Sequence, residues 1–132
     1  MKKFLNLGFQ PLANSYLKKK ELNKKEKKFR LIVTYNEKNH LVSILNRVSK
    51  KKMFNENYPY KSSESLTMRN SFKDLAKNLK KKFNPKLILE IGSNDGVFLK
   101  NFKKKEIIGI EPCKNLENIT KKKGYKVYSD YW

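Results

Sequence analysis

Glu90, Asp95 and Glu111 are three carboxylates spaced around a glycine turn in a way that could hold a ligand carrying both a diol and a positive charge. The first two lie in "KLILEIGSNDGVFLKNF", residues 86–102, where an apolar, strand-like half meets a helix-like half across "GSNDG". In a strand–turn–helix unit, the turn at the carboxyl end of the strand faces a ligand crevice. Gly92 and Gly96 permit positive φ and close backbone approach, and the helix N-terminus beyond them offers free N–H groups. The G-x-G-x-x-G dinucleotide pattern would need glycines at 92, 94 and 97, but the chain has Gly92, Asn94 and Val97. A pyrophosphate cradle is a poor fit, and Asp95 would repel one. A ligand with a cationic centre suits the turn better.

Glu111 ends the second apolar segment, within "GIEP", 21 residues after Glu90. A carboxylate at the end of a second parallel strand can accept both hydroxyls of a ribose. An adenosine that carries a cation satisfies all of these features, and S-adenosylmethionine is such a molecule. The candidate cofactor-binding residues are therefore Glu90, Gly92, Ser93, Asn94, Asp95, Gly96, Glu111 and Pro112. The plainer alternative makes the glycines an ordinary turn and Glu111 a surface residue.

The elements that must position these residues change character near Pro59. Before it, "KKFRLIVTYN" and "HLVSILNRV" read as two short strands rich in β-branched and aromatic residues, joined as a hairpin through "NEKN". Upstream, "NLGFQPLANSYL" reads as irregular, punctuated by Gly8 and Pro11. After Pro59, Phe72, Leu75, Ala76, Leu79 and Phe83 recur at helical spacing from Ser65 onward. Ser62, Ser63 and Ser65 are candidate N-caps, and Asn84-Pro85 stops that helix. "KLILEI" is then predicted as a buried strand, "DGVFLKNFKKK" as a helix and "EIIGIE" as a second buried strand. "CKNLENITKKKG" follows as a helix capped by Gly124, and "YKVYS" as a third strand. Alternating strands and helices with near-continuous apolar strands predict an α/β fold, the start of a doubly wound, Rossmann-like parallel sheet behind a small hairpin-containing subdomain. The expected division is 1–58, a small N-terminal subdomain; 59–84, a connecting helix; and 85–132, the first part of the cofactor-binding sheet. Three strands cannot cover both faces of such a sheet, so the chain reads as a portion of a longer one.

Charge and composition narrow the partners. The formal net charge is +20, which invites a small basic nucleic-acid-binding protein as an alternative. The basic residues, however, are 29 lysines and only three arginines, Arg30, Arg47 and Arg69. Phosphate and base readers favour the planar arginine fork. The runs Lys80–Lys82, Lys103–Lys105 and Lys121–Lys123 fall at expected helix C-termini, where cations complement the helix dipole. Lys18–Lys20 and Lys50–Lys52 fall in expected loops, and no aromatic residues interleave with the runs to stack on bases. Nucleic acid is not the expected partner. The apolar run in "MKKFLNLGFQP" is too interrupted for a signal peptide, no stretch is long enough to span a bilayer, and a single cysteine, Cys113, excludes an internal disulfide. A cytoplasmic location with no membrane partner is expected. An NAD-dependent dehydrogenase is the third alternative, disfavoured by Asn94 and Val97.

"LEIGSNDGVFLKNF" followed by "GIEP" resembles the first motif and the acidic second-strand end of class I S-adenosylmethionine-dependent methyltransferases. More narrowly, "LGFQPLANSYL", "NENYPYKSSES", "EIGSNDG" and "GIEP", in that order, resemble the sugar C-methyltransferase branch, over nearly the whole chain. The resemblance implies methyl transfer to a carbon of a nucleotide-linked keto-deoxysugar, through a base-generated enolate. It implies a site approached through "YPYKSSES", with Tyr58, Tyr60, Ser62, Ser63 and Ser65 near sugar or cofactor. Their plainer role is a helix cap with two packed tyrosines. The family's catalytic bases fall beyond the part matched here, so none is assigned, and this portion alone is expected to be inactive.

The resemblance also implies a zinc-binding N-terminal domain with two C-x-x-C pairs. The first pair would precede Met1, and the second would fall in "YNEKNHL", where Asn36 and Asn39 stand at the ligand spacing. Neutral amides are poor zinc ligands, and His40 by itself makes no site. No metal is expected. Cys113, which follows Pro112 at a helix start, reads as a small packed residue that the helix start could activate.

Overall fold

The computed structural model describes residues 1–132, which divide into two compact units, Met1–Met53 and Phe54–Trp132. The fold is α/β, with an antiparallel three-stranded sheet in the first unit and a separate parallel three-stranded sheet in the second. No helix is long and apolar enough to cross a membrane.

In the first unit, β1 (Lys2–Gln10), β2 (Phe29–Asn36) and β3 (Leu41–Ile44) pair antiparallel in that order, followed by a single helical turn, α1 (Lys50–Met53). The β2–β3 hairpin through residues 37–40 is as the sequence predicts. Two segments differ from expectation. Residues 6–10, predicted irregular, belong to β1, and Lys50–Lys52, predicted as loop, form α1. The pairing of β1 slips between Lys3 and Leu5 and again between Asn6 and Phe9, with Gly8 at φ +68 inside the second slip. A bulge breaks the two-residue period by which a strand is recognised, and Gly8 reads as punctuation for the same reason. Ile32 and Thr34 on the central strand are this unit's buried residues.

In the second unit, α2 (Leu66–Phe83) precedes β4 (Ile88–Ile91), β5 (Ile107–Ile110), α3 (Lys114–Lys122) and β6 (Lys126–Tyr128). Ser65 caps α2 as predicted, its Oγ accepting the Met68 N–H at 3.3 Å, and Asn84 ends the helix in the left-handed region. Lys80–Lys82 occupy the last turn of α2, and Lys121 and Lys122 that of α3. The three strands run parallel in the order β4-β5-β6, with Glu90 opposite Gly109 and Ile110 opposite Tyr128. The core joins Ala76 of α2 to Ile107 and Val127 of the sheet through Phe98, Leu99 and Phe102.

The crossover from β4 to β5 is not the predicted helix. Residues 95–105 form only 3-10 turns at Leu99–Asn101 and Lys104–Glu106. Val97, Phe98 and Leu99 are consecutive and all buried, which a regular helix turning about 100° per residue could not achieve against one sheet. The Asn101 side-chain amide donates to the carbonyls of Val97 and Phe98 at 3.1 and 3.0 Å and so replaces the backbone bonds that would have continued the turn. Lys103–Lys105 accordingly lie on a short turn and not at a helix end.

The parallel strands are also not buried on both sides. Ile88, Ile107 and Val127 face the core, but Leu89 and Ile91 are about half exposed on the opposite face, at 48% and 51%.

Candidate functional site

The turn after β4 is held by β5. The N–H groups of Gly92 and Ser93 both donate to the Ile110 carbonyl, at 2.8 and 3.0 Å. Gly92, Asn94 and Gly96 have φ of +75, +50 and +80°, so the turn needs the left-handed region three times in five residues. The two glycines do different work. A Cβ on Gly92 would meet nothing within 4 Å, leaving an open cradle, whereas one on Gly96 would lie 2.9 Å from Thr120 Cγ2. Gly96 is required by packing against α3, and Gly92 by backbone conformation and access. Gly109 on β5, which sequence reasoning did not single out, lets Ser93 pack down: a Cβ there would lie 2.7 Å from Ser93 Oγ.

The carboxylates divide by environment. Glu111 is 4% exposed, which rules out a surface role. Its Oε2 accepts the Asn94 N–H at 2.7 Å and its Oε1 accepts the Cys113 N–H at 2.8 Å, joining the ends of the two strands. Each oxygen keeps a second lone pair. Glu90 lies on the strand beside it, with Oε2 buried and unpartnered. Burial first, and the Glu111 charge second, push the Glu90 carboxyl from near 4.5 up to about 8. At neutral pH the buried Glu90 carboxyl thus favours its protonated form. Burial, with Glu111 adding a hydrogen bond and its charge, raises the Cys113 thiol to about 12, so Cys113 is a protonated, packed residue and not an activated one.

Asp95 is buried, and both of its oxygens accept from Ser63, Oδ1 from the N–H at 3.2 Å and Oδ2 from the hydroxyl. The Asn94 side chain is engaged in the same way, with Oδ1 accepting the Ser62 N–H at 2.9 Å and Nδ2 donating to the Tyr60 carbonyl at 3.2 Å. "YPYKSSES" is therefore brought onto the turn, through its backbone and Ser63. The Tyr58 carbonyl accepts from Asn115 of α3 at 2.7 Å, and Ser65 is the α2 cap. Ser93 is buried with its hydroxyl unpartnered, and Pro112 is half-buried between Glu111 and Cys113.

Several supporting residues have no sequence signal. Thr120 Oγ1 donates to the Asn94 carbonyl at 3.3 Å, Lys123 Nζ to the Asp95 carbonyl at 2.8 Å, and Arg69 to the Ser63 carbonyl at 2.6 Å. They come from α3 and α2, and only the packing of those helices reveals them. Two concavities lie away from the turn, one of about 480 Å³ by Lys80, Pro85 and Phe102, and another of about 400 Å³ in the first unit by Leu12, Phe29 and Met53. The turn is marked by its chemistry, since orphaned polar atoms and a paired-acid perturbation point to a ligand more directly than volume does.

Residues 1–54 match the Methyltransf_13 family model, described as "Putative zinc binding domain", and this supports a methyltransferase-related family. No curated protein matches the chain. The residues present do not fit zinc. The matched segment contains no cysteine, and no group of three or more His, Cys, Asp or Glu side chains is placed to hold a metal. In the hairpin, Asn36 Oδ1 accepts the Lys38 N–H at 3.0 Å and Asn39 Oδ1 accepts the Leu41 N–H at 3.2 Å, while His40 Nδ1 pairs with the Tyr35 hydroxyl at 2.5 Å. Local hydrogen bonds close the turn.

For S-adenosylmethionine the donor set fits better. The open face of Gly92 admits a ligand, the unpartnered Glu90 oxygen can face a cation, and Glu111 has lone pairs to spare.

Proposed function

We propose that the second unit is the start of a class I, Rossmann-like S-adenosylmethionine-binding domain, and that the chain serves C-methylation of a nucleotide-linked keto-deoxysugar. The observation that carries this reading is the pairing of an unpartnered, charge-suppressed Glu90 with a buried Glu111 that accepts two backbone N–H groups, across the open Gly92 turn. The parallel order β4-β5-β6 and the family match over residues 1–54 support it. Bound there, the cofactor supplies a methyl group on a cationic sulfur. Glu90 would lose its proton as a cation approaches, because an opposite charge favours the carboxylate that burial disfavours. Glu111 would offer its remaining lone pairs to the ribose diol. Gly92 would let the ligand lie against the backbone, and residues 58–63 would wall one side. Calorimetric titration of the whole chain with S-adenosylmethionine and with S-adenosylhomocysteine tests the reading. Heat of binding with net proton release between pH 6 and 8 is expected, and its absence for both compounds would sink it.

The net charge of +20 favours one other reading, a nucleic-acid binder. Tight duplex binding whose affinity falls steeply with salt would support that reading instead.

A further inference from the structure

We propose that Asn94 is a positioning residue that couples the carboxylate site to a strap formed by residues 58–63. The inference rests on the reading above only for the identity of the ligand. Asn94 is bonded on two sides. Its N–H donates to Glu111 Oε2 at 2.7 Å, and its side-chain amide both donates to the Tyr60 carbonyl at 3.2 Å and accepts the Ser62 N–H at 2.9 Å. One donor and one acceptor meet the strap as a neighbouring strand would. Asp95 fastens the next residue, Ser63, and Asn115 fastens Tyr58.

The backbone at 94 makes this choice informative. With φ at +50°, glycine would take the conformation without steric cost, while asparagine tolerates it. What asparagine adds is the amide, and the amide is spent on the strap. Apart from the short turn Ser62–Glu64, the strap has no regular structure of its own. Its order therefore depends on these side chains. A ligand that bonds to Glu111 shares that carboxylate with the Asn94 N–H, so occupancy of the site and order of the strap bias each other reciprocally.

Hydrogen exchange on the whole chain reads the Ser62 and Ser63 amides directly. Asn94→Gly should speed exchange at Ser62 about tenfold, the equivalent of one net hydrogen bond, while the Ile108 amide in the sheet keeps its native rate. Asn94→Asp, which keeps the acceptor for Ser62 but opposes the Tyr60 carbonyl, should fall between. Glu111→Gln should also speed Ser62, although Glu111 hydrogen-bonds to Asn94 and Cys113 and not to the strap. Unchanged Ser62 exchange in Asn94→Gly overturns the clamp, and unchanged exchange in Glu111→Gln with Ile108 protected overturns the coupling. S-adenosylhomocysteine should slow Ser62 in the native chain and not in Asn94→Gly. If the native chain fails to bind that probe while both variants speed Ser62, the coupling is supported and the cofactor reading alone falls.

Discussion

Replacing Glu111 by glutamine changes only an oxygen for an amide nitrogen, and the structure assigns that change a definite cost. In the native chain both carboxylate oxygens accept backbone N–H groups, from Asn94 at 2.7 Å and Cys113 at 2.8 Å. Glutamine has one acceptor, so whichever way the amide turns, one N–H faces another N–H. A hydrogen bond to a charged group contributes roughly 1.5–3 kcal/mol, and its loss in a buried place is not recovered from water. For a unit of this size that amounts to a fall in melting temperature of about 6–24 °C, at 4–8 °C per kcal/mol. A second consequence has the opposite sign. Glu111 is the lesser cause of the raised Glu90 carboxyl, behind burial, so its neutralisation should lower the Glu90 titration from about 8 without restoring the ordinary value. A carboxyl raised in the folded state stabilises fully below its unfolded value, and that stability is lost as pH rises through the folded one. The native unit should therefore lose stability from this group between about pH 4.5 and about 8, and the variant should show a narrower window. Thermal melts from pH 5 to 9, with NMR titration of the Glu90 carboxyl carbon, measure both. A variant that melts within about 1 °C of the native chain, or whose Glu90 still titrates near 8, would refute the reasoning.

Gly109→Ala should destabilise the second unit by about 1–3 kcal/mol, because its Cβ would lie 2.7 Å from Ser93 Oγ and 3.2 Å from Leu99 Cδ1; an unchanged urea midpoint counts against that packing. Glu117 is buried on α3, and although burial opposes its charge, Lys121 at 2.5 Å and Lys114 at 2.9 Å outweigh that and hold its carboxyl below the ordinary value. Its contribution is present above the unfolded carboxylate value and lost as pH falls through the folded one, so native and Glu117→Gln chains should differ in urea midpoint near neutrality and converge in acid. Purified protein should carry no stoichiometric zinc, and one zinc per chain by elemental analysis would overturn the ligand argument drawn from Asn36, Asn39 and His40.

Local chemistry determined much of this protein in advance. The helical spacing of Phe72, Ala76 and Leu79, the Ser65 cap and the Asn84 stop placed α2, because caps and periods act over a few residues. The apolar runs around Ile88, Ile107 and Val127 likewise placed three parallel strands, and the glycine turn with its acids was readable as a candidate site. Tertiary structure alone decided the rest. It replaced a helix at 95–105 with short turns, because three consecutive apolar side chains found one core to enter and Asn101 capped the carbonyls. It joined β1 to its sheet through slips that erase the alternation a strand shows in sequence. It also separated the duties of the acids: Asp95 is bound to Ser63, Glu111 bridges two backbone amides, and Glu90 keeps an unpartnered oxygen. Apart from the Cys113 N–H, two residues from Glu111, those partners stand 17–32 residues away, and sequence spacing carries no record of which oxygen a distant N–H will reach.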